Sequence, residues 1–381
     1  MRELILPHSL RIASDRSSSV RLAFVHLAEN ALSSHVQLYT EAEVNINVEL
    51  VVILLVLAAD ESKEVESEAV RALTGALSHW EMPPSDHALP HLGEDIEDGE
   101  VELKNHRLRP GPPPSADIST SQLKLYLRQY LFEITKAFIV GISGWTTGSQ
   151  VLYLGGLSRL CSEVAGDMRA VLGQLLLPLG SCLLEDDVSV RASAESVCQT
   201  LGQHLLCATT EAMVLPYISG SPAGHDNPRS RATGVRLVHH MLVGHLKNPK
   251  VESQLQQLRS LLLKLGHQLI AFDLHEYRDT FLREAILLVV RVMIDVLSRE
   301  LPALEDSSKS ELEFTTTTCL VLLMGRVQGD PGGPLVQVNQ LTVPHMSSNC
   351  TVCPTDGHRR FEPAFEDKGP DILCCLIAKA L

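Results

Sequence analysis

One recurring unit constrains the fold of this chain more than any other sequence feature. An apolar segment, which carries Leu-Pro in three copies, leads into an acidic turn, and Val-Arg or Val-Glu opens a second amphipathic segment in the clearer copies. The turns carry Asp15, Asp60, Asp186-Asp187 and, more weakly, Asp226. The first two lie 45 positions apart (15 to 60) and the last two lie 40 apart (186 to 226). This period is typical of helix pairs that stack side by side.

Aliphatic residues recur at helical spacing within these units. The clearest faces are Val190/Ala194/Val197/Leu201/Leu205, Leu123/Leu127/Tyr130/Ile134/Phe138 and Leu255/Leu258/Leu262/Leu265/Leu269. We expect each turn Asp to cap the second helix, the Val to face the sister helix and the Arg or Glu to face solvent. Residues 281–297 are apolar nearly all round and predict a helix buried between neighbours. The apolar run 50–59 predicts a buried helix, because a membrane span needs roughly 20 residues.

Composition supports packed helices. Apolar residues make up 45% of the chain but aromatic residues only 4%, which disfavours a β-sandwich or barrel. The net charge of −14, from 32 basic and 46 acidic residues, disfavours nucleic acid and acidic membrane surfaces as partners. Most of the nine cysteines lie in apolar helical runs, which predicts reduced thiols in an intracellular protein. The N-terminus shows no signal-peptide pattern.

The repeat resembles the HEAT family of α-solenoid proteins, whose unit is a helix pair of about 40 residues. The resemblance implies an all-α fold, a HEAT/ARM-like α-solenoid of stacked antiparallel helix pairs. Proteins of this kind usually act through an extended surface that holds a partner over several repeats. That architecture indicates a class of function and does not by itself identify the partner.

The segments between and after the repeats differ in composition. We predict HEAT repeats over residues 1–80 and 120–314, and a disordered or loosely held loop over 81–119, which is acidic and rich in proline. The acidic stretch 94–102 is open to two interpretations, a partner-binding segment or a solvated charge run. Residues 315–381 are predicted to be an irregular or disordered tail. Because the array starts within a repeat, we expect the chain to be a fragment of a longer array.

Each candidate catalytic motif fails on its own spacing. His275-Glu276 begins a zinc-protease motif, but Asp279 occupies the place of the second histidine ligand. The stretch from Gly141 to Gly144 begins a nucleophile elbow, but Trp145 occupies the place of its last glycine. No phosphate-binding or dinucleotide-binding fingerprint is present. We therefore predict that the chain is not an enzyme, with no catalytic, cofactor-binding or metal-binding residues.

Two groups of residues contain potential metal ligands. The first could hold zinc or consist of free thiols, and we favour free thiols because one cysteine pair is adjacent in sequence; its members are Cys350, Cys353, Cys374, Cys375, His345 and His358. The second is His239-His240. Adjacent helical residues point about 100° apart, so we predict one packed and one exposed imidazole rather than a chelating pair.

A closer resemblance covers about residues 60–220. A helix like 64–80 leads into an acidic, proline-rich insertion that closes near Arg109-Pro110-Gly111, followed by a long helix pair with Trp145 in its turn and by Met213-Val214-Leu215-Pro216. This order resembles the axonemal dynein assembly factors of the HEAT family. The resemblance implies a cytoplasmic, non-catalytic scaffold in dynein-arm preassembly for motile cilia, with dynein intermediate chain and chaperone co-factors as partners. Two alternatives stay open: a HEAT-repeat adaptor in nuclear transport or another large complex, and an enzyme or zinc protein whose site lies in the tail.

Overall fold

The computed structural model describes residues 11–35, 41–78, 80, 115–144, 146–218, 228–248, 251–271, 279–300 and 315–319. These residues form helices and turns, with no strand among them. The helices are α1 (Ser18–His35), α2 (Glu41–Leu57), α3 (Lys63–Leu77), α4 (Ser115–Gln129), α5 (Leu131–Ile142), α6 (Thr147–Val164), α7 (Leu172–Leu183), α8 (Val188–His204), α9 (Cys207–Ile218), α10 (Pro228–Lys247), α11 (Val251–Ile270) and α12 (Thr280–Glu300). A 3₁₀ segment, Ala165–Ala170, joins α6 to α7.

The chain divides into two compact units, one comprising Met1–Leu215 with His240–Leu255 and the other comprising Pro216–His239 with Gln256–Leu381. In the first unit α2, α5 and α7 form a first row of helices, and α1, α3, α4, α6 and α8 form a second row. Neighbours within each row contact each other, and α2, α5 and α7 pack on α3, α6 and α8 respectively. The predicted class, an all-α solenoid of stacked helix pairs, is confirmed.

Aliphatic seams hold the second row together. Val65 and Ala72 of α3 are buried, and so are Val190 and Val197 at the equivalent positions of α8. The predicted stripe Val190/Ala194/Val197/Leu201/Leu205 is buried along its whole length. In α2, residues 51–57 are buried, which confirms the prediction for this apolar run. Burial of such aliphatic side chains is the main favourable term that stabilises packed helices.

Helix capping differs from the prediction in detail. In the Asp186-Asp187 turn, Asp187 is the N-cap of α8, as predicted, and it accepts hydrogen bonds from the backbone N–H groups of Ser189 and Val190 at 2.8 and 3.1 Å. Asp60 lies two residues before the N-cap of α3 and accepts from the Ser62 N–H at 2.8 Å. Asp15 does the same for the Ser17 N–H at 2.8 Å, just before α1. The acidic residues therefore organise the turns from two different positions.

The predicted orientation of the Val-Arg pair is wrong for Val20-Arg21, the first copy of the sequence repeat. Val20 is 41% exposed, whereas Arg21 is buried. The Arg21 Nε lies 2.7 Å from Oδ2 of Asp60, and Arg21 also donates to the Asp15 carbonyl oxygen at 2.6 Å. The arginine turns inward because two acceptors of successive turns lie within its reach, and these replace the water that it loses.

The sequence stripe Leu123/Leu127/Tyr130/Ile134/Phe138 is buried as predicted, but it belongs to two helices. The helical conformation is interrupted at Tyr130, where φ is −110° and ψ is 23°, and α5 starts at the next residue. Tyr126 and Tyr130 both pack against Trp80, which follows α3, with ring centroids 5.2 and 6.3 Å apart. This aromatic cluster joins α3 to α4 across the interval 81–114.

Two observed helix ends differ from the predicted segment boundaries. Helix α4 begins at Ser115, within the segment predicted to be a loop, and residues 315–319 are helical at the start of the predicted tail. The remaining residues of both predicted segments, 81–114 and 320–381, lie outside the described part of the chain.

In the second unit, glycines allow close helix contacts. A Cβ at Gly234 of α10 would lie 3.2 Å from the Tyr217 carbonyl carbon, and a Cβ at Gly266 of α11 would overlap Cγ2 of Thr315. The predicted stripe of α11 is buried at Leu258, Leu262, Leu265 and Leu269, while Leu255 lacks a described side chain. Helix α12 is not buried all round as predicted, since Phe281 and Leu287 are each 44% exposed.

Candidate protein-binding surface

The outward side of the first row carries large apolar side chains that the core does not use. Phe132 and Val140 of α5 are 49% and 66% exposed, and Leu177 of α7 is 58% exposed. Because α5 contacts α7, these residues belong to neighbouring helices of one row. We call Phe132, Val140 and Leu177 the first-row patch. Exposed apolar side chains on neighbouring elements are a common feature of protein-binding surfaces.

Charge is sparse around the first-row patch. The exposed residues of α7 are Gly173, Gln174, Leu177 and Ser181, none of which is charged. Lys136 is the exposed charged residue of α5, and it lies between Phe132 and Val140 at helical spacing. The patch therefore suits a partner surface that is apolar at its centre and can place one acidic group near Lys136.

Helix α3 of the second row has a polar outer surface instead. Its exposed residues include Lys63, Glu64, Ser67 and Arg71. Polar side chains cost little free energy in water, whereas an exposed Phe or Leu gains free energy only when a partner covers it.

A charged cluster crosses the seam between α1 and α3. The Arg71 guanidinium binds both Glu29, at 2.6 and 3.0 Å, and Glu68, at 2.7 and 2.9 Å. The hydrogen bond from Arg71 lowers the pKa of Glu68 and in turn raises that of Arg71. His26 lies 3.5 Å from Glu68, so one imidazole and two carboxylates converge. Because Arg71 already donates hydrogen bonds to both carboxylates, the cluster is an ion-pair network between helices.

The described residues of the two incomplete catalytic motifs have structural roles. Asp279 precedes α12 and accepts a hydrogen bond from the Leu282 N–H at 2.9 Å, while His275 and Glu276 lie outside the described residues. Gly141 lies in the last turn of α5, and a Cβ there would overlap the ring of Tyr153. Trp145 also lies outside the described residues, as do the six members of the Cys/His group at 345–375.

The prediction that one of the imidazoles of His239-His240 is exposed is wrong, because both are buried, at 9% and 7% exposure. Burial, followed by the positive charges of Arg236 and Arg291, lowers the pKa of His239 to about 4. His240 lies 3.7 Å from a carboxylate oxygen of Glu195. Two residues that point about 100° apart on one helix are thus both covered.

His245 is a buried polar residue that no sequence motif had pointed to. Its Nε2 lies 3.0 Å from Oγ1 of Thr210, which is also buried. Burial lowers the pKa of His245 to about 4, so the imidazole is neutral at pH 7. The neighbouring Gly244 brings α10 against the backbone of α8 near Gln199. This arrangement has a structural role in fixing α10 on its neighbours.

The described cysteines are all buried thiols: Cys161, Cys182, Cys198, Cys207 and Cys319. Burial raises the pKa of Cys182 and Cys207 to about 11 and that of Cys319 to about 12, and it raises those of Cys161 and Cys198 further. A thiol with a raised pKa has little thiolate at neutral pH and is a poor nucleophile or metal ligand. These five residues are part of the core.

Comparisons with known proteins found structural similarities at low sequence identity and with low TM-scores. No family model and no curated protein matches this chain. Among solved structures, a HEAT-like repeats protein from the archaeon Thermococcus onnurineus is 14% identical, with a TM-score of 0.29 over 81% of this chain and 99% of that one. Two engineered proteins are 14% and 12% identical, with TM-scores of 0.27 and 0.23, over 84% of this chain and 96% and 88% of theirs.

Similarities this low say nothing about function, so the fold assignment depends on the helix contacts described above. Among the described residues, no helix combines the length and the apolar character needed to cross a bilayer. The first-row patch was not predicted from the sequence. The sequence does contain a signal for it, which is an apolar residue that lies outside the helical spacing of the buried residues. Phe132, next to Leu131 and Ile134, is an example.

Proposed function

We propose that this chain is a non-catalytic scaffold that binds protein partners through the first row of its helix stack and acts in cytoplasmic preassembly of axonemal dynein arms. The partners are dynein intermediate chain and chaperone co-factors. The general scaffold role is supported by the stacked helix pairs and by the exposed first-row patch. The dynein-specific role depends on the resemblance of residues 60–220 to dynein axonemal assembly factor five.

The packing around the acidic insertion is the observation that carries this proposal. Helix α3 ends at Leu77 and Trp80 is buried against Tyr126 and Tyr130, so α3 and α4 are neighbours although residues 81–114 separate them in sequence. The insertion therefore joins two stacked helices and does not end the stack. An acidic, proline-rich insertion inside a continuous array is the feature on which the closer resemblance depends.

Affinity purification of the tagged full chain from multiciliated cells tests the proposal. We expect dynein intermediate chain among the bound proteins, and we expect its recovery to fall when Phe132 and Leu177 are both replaced by Glu. Ser196→Glu is the matched control, because Ser196 is exposed on the second row. Circular dichroism should show equal helix content for all three proteins.

A genetic experiment addresses the same proposal in cells. Loss of the protein should shorten or remove dynein arms and stop ciliary beating. Intact arms and normal beating in the absence of the protein would contradict the dynein-specific role while leaving the general scaffold role in place.

The alternative is a HEAT-repeat adaptor in nuclear transport or another large complex. The acidic net charge fits this alternative as well as it fits a chaperone co-factor, because an acidic surface attracts basic segments of cargo proteins. Binding to a transport GTPase together with nuclear enrichment, and no dynein intermediate chain in the purified complex, would favour this alternative.

A further inference from the structure

The first-row patch lies on two parallel ridges of exposed residues, one on α5 and one on α7. Exposed residues follow each other at a spacing of four along each helix, and such residues form a ridge with a groove beside it. The exposed residues are, in chain order, Phe132, Lys136 and Val140 on α5 and Gly173, Leu177 and Ser181 on α7. The α5 ridge carries long side chains, whereas the α7 ridge is low on both sides of its leucine.

Helix α9 continues the low side of this surface. A Cβ at Gly173 would lie 3.6 Å from Cε of Met213, so α9 contacts α7. The exposed residues of α9 are Ala208 and Ala212, again four apart, and both belong to the first unit. Small side chains allow the backbone of a docked element to come close, so the surface beyond the α5 ridge has room for an element as wide as a helix.

The occupant of this groove needs a backbone that satisfies its own hydrogen bonds. The surface is built from α5, α7 and α9, whose backbone groups bond within each helix, so it offers no strand edge to an extended peptide. An extended segment laid on Phe132 and Leu177 would bury N–H and C=O groups without partners, which is costly. A helix pays no such cost, because its backbone bonds are internal.

Lys136 marks the centre of the α5 ridge with a positive charge. At a rise of 1.5 Å per residue, Phe132 and Val140 lie about 12 Å apart along α5, with Lys136 halfway between them. Within the described part of the chain, the Lys136 ammonium group forms no ion pair, and Glu133, one turn earlier, lies beyond ion-pair distance. A partner that covers the patch removes water from this ammonium and therefore has to supply a carboxylate at the same point.

We propose that the first-row patch is a docking groove for an amphipathic helix of the partner protein, which lies along α5 and α7 and places an aspartate or glutamate against Lys136. Its apolar side covers Phe132, Val140 and Leu177. Apolar residues at positions i, i+4 and i+8 of the docked helix span the distance from Phe132 to Val140, and the acidic residue stands next to the central one. This inference rests on the proposed function of the patch and specifies the segment of the partner that it binds.

Selection from a library of random 16-residue peptides displayed on phage tests the chemistry of the occupant. We expect the peptides enriched on the full chain to share apolar residues at helical spacing and an acidic residue near the centre. The same selection on Lys136→Glu should enrich Lys or Arg at that place. Ser196→Glu, which changes an exposed residue of the second row, is the control and should give the same acidic pattern as the parent.

Binding measurements with a synthetic copy of the most enriched peptide make the test quantitative. By fluorescence anisotropy, Leu177→Glu and Lys136→Glu should each raise the Kd about tenfold or more, whereas Ser196→Glu should leave it unchanged. Replacing the acidic residue of the peptide by Lys should recover most of the affinity for Lys136→Glu. Circular dichroism should show that the peptide gains helix content when it binds.

Several results would overturn this inference. They are the absence of enriched peptides, binding that Leu177→Glu does not weaken, a bound peptide without helix, and an acidic preference that persists in Lys136→Glu. Sedimentation of the protein alone should show a monomer, and a dimer that Leu177→Glu dissociates would assign the groove to a second copy of the chain instead.

The outcomes also separate this inference from the proposed function. Recovery of dynein intermediate chain that depends on Phe132 and Leu177, together with failure of the peptide tests, would reject the acidic helix and leave the proposed function in place. Helical, acidic peptides that bind the groove, without recovery of dynein intermediate chain from cells, would leave the docking groove in place and reject the dynein-specific role.

Discussion

Arg21 and Asp60 form an ion pair that joins two successive copies of the sequence repeat. The Arg21 Nε lies 2.7 Å from Asp60 Oδ2 and its NH2 lies 2.9 Å from Oδ1, with side-chain exposures of 7% and 6%. The paired carboxylate also accepts the Ser62 N–H, so it organises the turn before α3. The hydrogen bond to Asp60 raises the pKa of Arg21 despite the burial of the guanidinium.

Replacing Arg21 by Ala should therefore destabilise the first unit. We expect a loss of about 1 to 3 kcal/mol, because Asp60 would keep its buried charge without a partner. Chemical denaturation monitored by circular dichroism measures the change. Lys63→Ala is the control, since the Lys63–Glu66 pair is exposed at the lysine and should contribute less than about 1 kcal/mol. Equal effects of the two substitutions would contradict the interpretation.

Two valines of α8 offer a matched test of the helix register. Val190 is fully buried and Val188 is 67% exposed, although only one residue separates them. Val190→Asp should cost about 3 kcal/mol or more, because it places a charge in an aliphatic seam. Val188→Asp should be neutral or slightly stabilising, because an acidic residue is favourable in the first turn of a helix. Thermal unfolding of both variants checks the difference, and a stable Val190→Asp protein would refute the register.

Gly202 permits a close approach of α8 to α10. A Cβ at this position would overlap the backbone carbonyl of Met241. We expect Gly202→Ala to destabilise the protein by about 2 kcal/mol or more, since backbone atoms have to move apart. Gly173→Ala is the control, because its Cβ would meet Met213 Cε at an ordinary 3.6 Å, and this exposed helical change should stabilise by about 0.5 to 1 kcal/mol. Denaturant midpoints of both variants measure the contrast.

His245 makes stability depend on pH in a defined window. Its pKa is lowered to about 4 by burial, so the unfolded chain binds a proton that the folded chain does not. Stability should therefore fall as the pH decreases from about 6.5 to about 4, by up to roughly 3 kcal/mol for this residue. His245→Gln should flatten this part of the profile. If the slope of unfolding free energy against pH were the same in His245→Gln as in the parent, another group would take up the proton.

The buried cysteines should resist modification in the native state. A thiol-specific reagent at neutral pH should label Cys161 and Cys198 only after unfolding, because both are fully buried and their pKa values are raised. Peptide mapping by mass spectrometry identifies the labelled residues with and without denaturant. Fast native labelling of either residue would indicate that the α6–α8 seam opens readily.

Much of the helical architecture could be predicted from sequence. The stripe through Val190 and Val197 is buried in the structure, because a 3.6-residue period fixes which side of a helix is apolar whatever it packs against. The recurrence of this pattern at 40 to 45 positions also identified the stacking of helix pairs. Both features depend on residues that are close together in the chain, so they can be read from the sequence.

Tertiary structure alone decided which side chains stay exposed and which polar groups are buried. Val20 and Val65 have the same place in the repeat, but only Val65 is covered, because burial depends on a neighbouring helix. Arg21 turned inward because Asp60, a residue 39 positions away, lies within reach. The sequence determined the helices and their apolar sides. Distances between residues remote in the chain determined the ion pair and the first-row patch, because a contact needs two partners in space.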